Sequence, residues 1–135
     1  MLSHVCVGIT DYERAFEFYS ALAEELGWRL KFADPAHHSA GWTAQNGARP
    51  LFFITRPANG APPAPGNGTM TAFLAPSRDA VRLCYAVAIE TGAKCEGPPG
   101  LRPPYHPDYY AAYFRDLDGN KLCVVCHDPA RELEF

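Results

Sequence analysis

The sequence predicts an antiparallel-rich α+β fold built from two βαβββ repeats. Three observations predict it. A strand, a helix and three shorter strands can be read twice along the chain. The two passes superpose at one constant offset, which sets His4 on Met70, Ala15 on Val81, Tyr19 on Tyr85 and Leu22 on Ala88. Between them, residues 57–68 are almost wholly turn formers. One helix to several strands implies α+β, and a half of this size cannot bury both faces of its sheet alone.

In the first half, the β-branched run from His4 to Ile9 reads as a strand. Thr10 and Glu13 are spaced as a capping box, so a helix begins near Asp11. Its apolar face is Ala15, Phe16, Tyr19, Leu22, Ala23 and Leu26, and Gly27 is the stop. Trp28–Phe32, Ala40–Ala44 and Leu51–Thr55 follow as strands. In the second half, Met70–Ala75 is the strand and Ser77 caps the helix. Asp79 sits in its first turn, where negative charge is favoured. Val81, Cys84, Tyr85 and Ala88 form its apolar face, and Gly92 ends it. A short strand near Lys94–Cys95 leads into a long proline-rich loop, then strands at Tyr109–Arg115 and Lys121–Cys126. Asp116 and Asp118, within Asp-Leu-Asp-Gly-Asn, read as the hairpin turn rather than as acid/base carboxylates. Helices are expected near 11–26 and 77–91. The expected organisation is one domain over 1–135, with half 1 at about 1–56, a linker at about 57–67 and half 2 at about 68–128.

Composition bounds the function. The chain has 135 residues, 47% hydrophobic and 20% charged, with a formal net charge of -3. No basic stripe points to nucleic acid. No apolar run approaches the roughly 20 residues of a membrane span. The opening residues do not read as a signal peptide, so a cytoplasmic protein is expected. Five cysteines without paired spacing argue against a disulfide framework. Cys123 and Cys126 lie on one predicted strand, where residues three apart point to opposite faces, so they do not hold one ion together.

The order and spacing of short motifs resemble the vicinal-oxygen-chelate superfamily, which includes glyoxalases, bleomycin-resistance proteins and extradiol dioxygenases. In the first half these are His4 and Asp11, Phe18-Tyr19, and Leu26-Gly27. In the second they are Gly68 to Phe73, the helix from Ser77, Gly100 to Pro107, Tyr109 to Ala112, and Asp116 to Leu122, similar to a small bacterial glyoxalase-like subfamily. The resemblance covers nearly the whole chain. It implies a cupped mixed sheet around a pocket, a homodimer, and in metal-dependent members a divalent ion that holds two oxygens of the substrate.

Carried over position by position, the implied ligand set is degenerate. His4 matches the superfamily's histidine. Leu51–Thr55 holds the second position and offers no Glu, Gln or His. Met70 stands where relatives of this pattern carry His, and Cys123 where the superfamily usually carries Glu. His4, Met70 and Cys123 are therefore expected as relics of a metal site, and no metal cofactor is expected. The alternative is a Zn, Ni, Mn or Fe enzyme with unusual ligands, of lactoylglutathione-lyase or dioxygenase type; a His, Met and Cys set would suit Cu(I) better. The sequence assigns no catalytic residue. Pocket positions are expected from Phe52, Tyr105, His106, Tyr109 and Tyr113, with Trp42 beside them. An aromatic lining suits flat or apolar small molecules. Arg102 and Arg115 are the cations available to an anionic ligand.

Overall fold

A computed structural model describes residues 1–45 and 47–130. It contains two compact units, Met1–Gly66 and Asn67–Phe135, the second described as far as residue 130. The segment expected as a linker belongs largely to the first unit. Gly60 N–H donates to the Pro57 carbonyl, and Ala61 N–H to Asn59 Oδ1, so the prolines fold into a fixed loop.

In the first unit, β1 (His4–Gly8) leads to α1 (Tyr12–Leu26), then β2 (Trp28–Asp34), a 3-10 turn at Pro35–His37, β3 (Ser39–Ala44) and β4 (Leu51–Thr55). The strands lie in the order β1-β4-β3-β2. β1 pairs parallel with β4 because α1 carries the chain across; the remaining pairs are antiparallel. The helix is capped by Asp11, whose carboxylate accepts from Arg14 N–H, rather than by the expected Thr10. Gly27 stops it at φ 74°, a conformation that costs a residue with a Cβ. Beneath it Tyr19 and Leu22 are at most 1% exposed. Each such side chain contributes roughly 1.5–3 kcal/mol of burial.

The second unit repeats the pattern with β5 (Thr71–Leu74), α2 (Arg78–Glu90), β6 (Lys94–Leu101), β7 (Tyr110–Arg115) and β8 (Lys121–Cys126), in the order β5-β8-β7-β6. Ser77 Oγ accepts from Ala80 N–H and caps α2. β6 corrects the sequence reading, which ended the strand at Cys95. The strand runs on to Leu101 through Glu-Gly-Pro-Pro-Gly, and its register with β7 shifts twice, between Cys95 and Gly97 and between Gly97 and Gly100. Prolines are tolerated because β6 is an edge strand and the shifts absorb the missing donors. Asp116 takes the turn role. Its Oδ1 accepts from the backbone of Asp118 and Asn120, and its Oδ2 from Asn120 Nδ2.

Each sheet has one face under its helix and one face away from it. In the first unit, strand pairing sets His4, Cys6, Leu51, Phe53 and Gly41 on the uncovered face. Phe32 closes over Gly41: a Cβ there would stand 2.5 Å from Phe32 Cε1 and 3.0 Å from Phe53 Cβ. Gly41→Ala is therefore expected to lower stability by about 1–3 kcal/mol, the usual range for overpacking. Urea unfolding would read the loss, and trimming the ring in Gly41→Ala/Phe32→Leu should restore part of it. An unchanged midpoint in Gly41→Ala would refute the packing argument.

Candidate functional site

The residues expected at the site do not all share a face. Phe52, and Trp42 opposite it on β3, turn under α1. Phe52 is 8% exposed and meets Tyr19 and Trp28, with ring centroids 5.1 and 5.8 Å away. This corrects the expectation that Phe52 lines the open side. Its neighbours Leu51 and Phe53 point the other way, because side chains alternate along a strand. His4 does lie on the uncovered face, at the edge strand β1. Its ring stacks on Phe53 at 5.2 Å and its Nδ1 shares a hydrogen bond with Ser3 Oγ. Met70 precedes β5 in the second unit and is 44% exposed.

The four other expected residues converge around Cys123. The antiparallel register sets Tyr113 directly across from Cys123, and β5 sets Ala72 on the other side of the same thiol. Cys123, Ala111 and Val125 form a small buried cluster on this face, with Tyr109 and Tyr113 packed against it. Cys126 falls across from Tyr110, whose ring is capped by Arg78 and Arg82. The two cysteines thus serve different faces, as the strand reading required.

At the centre, Tyr109 Oη lies 3.0 Å from Tyr113 Oη and 3.9 Å from Cys123 Sγ. Around it, Tyr105 approaches Tyr109 at 4.9 Å, and His106 meets Tyr109 edge-on at 5.6 Å. His106 Nδ1 accepts from the backbone N–H of Asp108. In the neutral ring Nε2 therefore carries the proton and donates to His127 Nδ1 at 2.8 Å. The stacked imidazoles tie the 102–109 loop to the end of β8.

His127 was missed in the sequence. The register that sets Cys126 across from Tyr110 brings the residue just after β8 beside Tyr109. Arg102 was considered as a ligand cation, and the structure shows how it is held. Its Nη1 donates to Gly100 O and its Nη2 to Pro98 O, both at 2.8 Å, and its guanidinium lies 5.5 Å from the Tyr113 ring centre. A Cβ at Gly97 would stand 3.1 Å from Nη2, and one at Gly100 3.2 Å from Nη1. The two glycines of β6 thus make room for the cation. Lys121 Nζ lies 5.8 Å from the same ring. Arg115 is turned to Glu96 and the Gly119 carbonyl.

Burial raises the pKa values of this cluster and so favours the neutral forms. Desolvation, then the hydrogen bond to Tyr113, pushes Tyr109 far above an ordinary phenol. Desolvation also raises Tyr113 and Cys123; for the thiol the tyrosine hydroxyls, Arg102 and Lys121 pull the other way without winning. A thiol held protonated is a poor metal ligand. Among the described residues, no three His, Cys, Asp or Glu side chains are grouped to hold an ion. The donor set does not fit the divalent site that the resemblance implies.

The architecture is that of proteins built from paired βαβββ units. The chain belongs to the glyoxalase/bleomycin resistance protein/dioxygenase superfamily, whose family model matches residues 1–124. It is similar to a glyoxalase/bleomycin resistance protein from Albidiferax ferrireducens T118, at 38% identity and TM-score 0.80, covering 95% of this chain and 99% of that one. A superfamily enzyme from Burkholderia phytofirmans PsJN shares the fold at 18% identity and TM-score 0.68, covering 93% and 98% of the two chains. So does a putative glyoxalase from Bacillus halodurans, at 20% identity and TM-score 0.67, over 93% and 95%. No curated protein matches the sequence.

The raised pKa values fix a pH dependence. The unfolded chain ionises near 9.0 at cysteine and 10.0 at tyrosine, below the folded values. Folding thus holds these protons more tightly. The contribution is complete below about pH 9 and is lost as pH rises through the folded values. Urea midpoints should fall from about pH 9 upward, and less steeply in Tyr109→Phe/Tyr113→Phe. Equal slopes in the two proteins would contradict the assignment.

Proposed function

We propose that this chain is a small-molecule-binding member of its superfamily, and that the aromatic open face of its second unit holds the ligand. One observation carries the reading. Where metal-dependent relatives of this pattern carry a carboxylate, Cys123 is fully buried beneath Tyr109 and Tyr113. The position has been given over to a wall for a flat, partly apolar molecule. Tyr105, His106 and His127 extend that wall, and aromatic surfaces of this kind suit conjugated ligands. His4 and Met70 are the other relics of the ligand set.

The competing reading is a divalent-metal lyase or dioxygenase that completes its ligand set in an unusual way. Elemental analysis of tag-free protein separates the two. Less than about a tenth of an equivalent of Zn, Ni, Mn or Fe per chain is expected. About one equivalent, lost in His4→Ala, would overturn the binding reading in favour of the metalloenzyme. Restoring ligands with Met70→His/Cys123→Glu should raise divalent-metal affinity on the order of tenfold or more, measured by calorimetric titration. We further propose a homodimer: Leu74, on the edge strand β5, is 71% exposed and Met70 beside it 44%. Symmetric pairing is the commonest way to cover such surface. Light scattering at micromolar concentration should give twice the chain mass, and a monomer mass would refute it.

A further inference from the structure

We infer that Tyr109 Oη and Tyr113 Oη, with the Arg102 guanidinium behind them, form a cation-backed pair of neutral hydrogen-bond donors that receives an anionic oxygen of a conjugated ligand, such as a phenolate, enolate or carboxylate. The inference rests on the open face of the second unit being the binding surface, and it adds what that surface recognises.

Three observations support it. The first is convergence. The two hydroxyls lie 3.0 Å apart, arriving from the loop end before β7 and from within β7. Two hydroxyls that bond each other leave one proton of the pair free to point elsewhere, and Cys123 Sγ, at 3.9 Å from Tyr109 Oη, is a weak acceptor for it. A stronger acceptor would take over that proton. The second is charge. Arg102 and Lys121 both lie within 6 Å of the Tyr113 ring centre, 5.5 and 5.8 Å away. The acidic neighbour on this side, Glu96, is turned to Arg115. The third is the fixing of Arg102. Its bonds to the Gly100, Leu101 and Pro98 carbonyls hold the guanidinium in place, and β6 keeps glycines where a Cβ would crowd it. A donor set held before the ligand arrives costs little reorganisation on binding. The ring walls of Tyr105 and His106 then take the flat part of the ligand. This arrangement offers with phenols and a guanidinium what a bound cation offers to ligand oxygens elsewhere.

The test uses two flat probes of similar shape, p-nitrophenolate above its own pKa and uncharged nitrobenzene. Binding is read by the absorbance shift of the first and by tyrosine and tryptophan fluorescence quenching for both. The purified full chain should bind the phenolate about tenfold or more tightly than nitrobenzene. Tyr109→Phe and Tyr113→Phe should each lose most of that preference while holding nitrobenzene within about twofold. Tyr12→Phe, which removes a tyrosine hydroxyl on α1 of the first unit, should keep it. Equal affinity of the unaltered chain for the two probes would overturn the inference and leave the proposed binding surface standing. A preference that survives in Tyr109→Phe/Tyr113→Phe would also overturn it. Binding of neither probe would count against both the inference and the binding surface. The comparison within the unaltered chain decides the matter even if a variant fails to fold.

Discussion

The second unit is organised by one strand register, the pairing of Tyr113 with Cys123 across β7 and β8. Shifting it by one residue would exchange the two faces of the sheet. Tyr113 would then turn under α2 and Phe114 would leave the core. The register is held from both sides. Below the sheet, Phe114, Ala112 and Val124 are buried without measurable exposure. At the far end, the Asp116 carboxylate gathers the hairpin turn through three hydrogen bonds. Because the hydrophobic face cannot slip, the tyrosines, the thiol and the lysine of the other face are delivered to fixed places.

The remaining parts of the cluster are fitted to that register. β6 has to pass beside Tyr113 and still leave room for a guanidinium. It does so with two bulges and two glycines, at the expense of regular pairing along an edge strand. Arg102 fills the space and binds three carbonyls that the irregular strand leaves available. The loop that follows returns through Tyr105 and His106, and the imidazole contact with His127 closes it onto the end of β8. The irregularity of β6 is thus the condition for placing a cation on this face.

The two units show how one topology carries two chemistries. In the first, the uncovered face holds His4, Cys6 and Phe53, and Phe32 fills the space over Gly41. In the second, the corresponding face holds hydroxyls, a buried thiol and cations. Strand order and helix placement are the same. The difference lies in side chains at equivalent positions, which the fold tolerates because the helix-covered faces supply the burial.

The sequence by itself determined the duplicated βαβββ order, both helices to within a residue or so, the turn role of Asp116 and the opposite facing of Cys123 and Cys126. These follow from local rules: capping residues, helical and strand periodicity, and turn chemistry act within a few residues of chain. Tyr105, His106, Tyr109 and Tyr113, read from the sequence as pocket positions, lie in mutual contact through Tyr109, because three of them lie on one short loop and the fourth shares a strand face with Tyr109. The tertiary structure alone decided what depends on partners distant in sequence. Phe52 went to the helix side because β4 pairs with β3 in a register that no local pattern specifies. β6 continued as a strand through a Pro-Pro-Gly segment that reads as loop, because β7 was there to pair with it. His127 joined Tyr109, and Arg102 folded over Tyr113, through contacts that span the hairpin. Local propensity names the elements, but cross-strand register chooses which side chains meet.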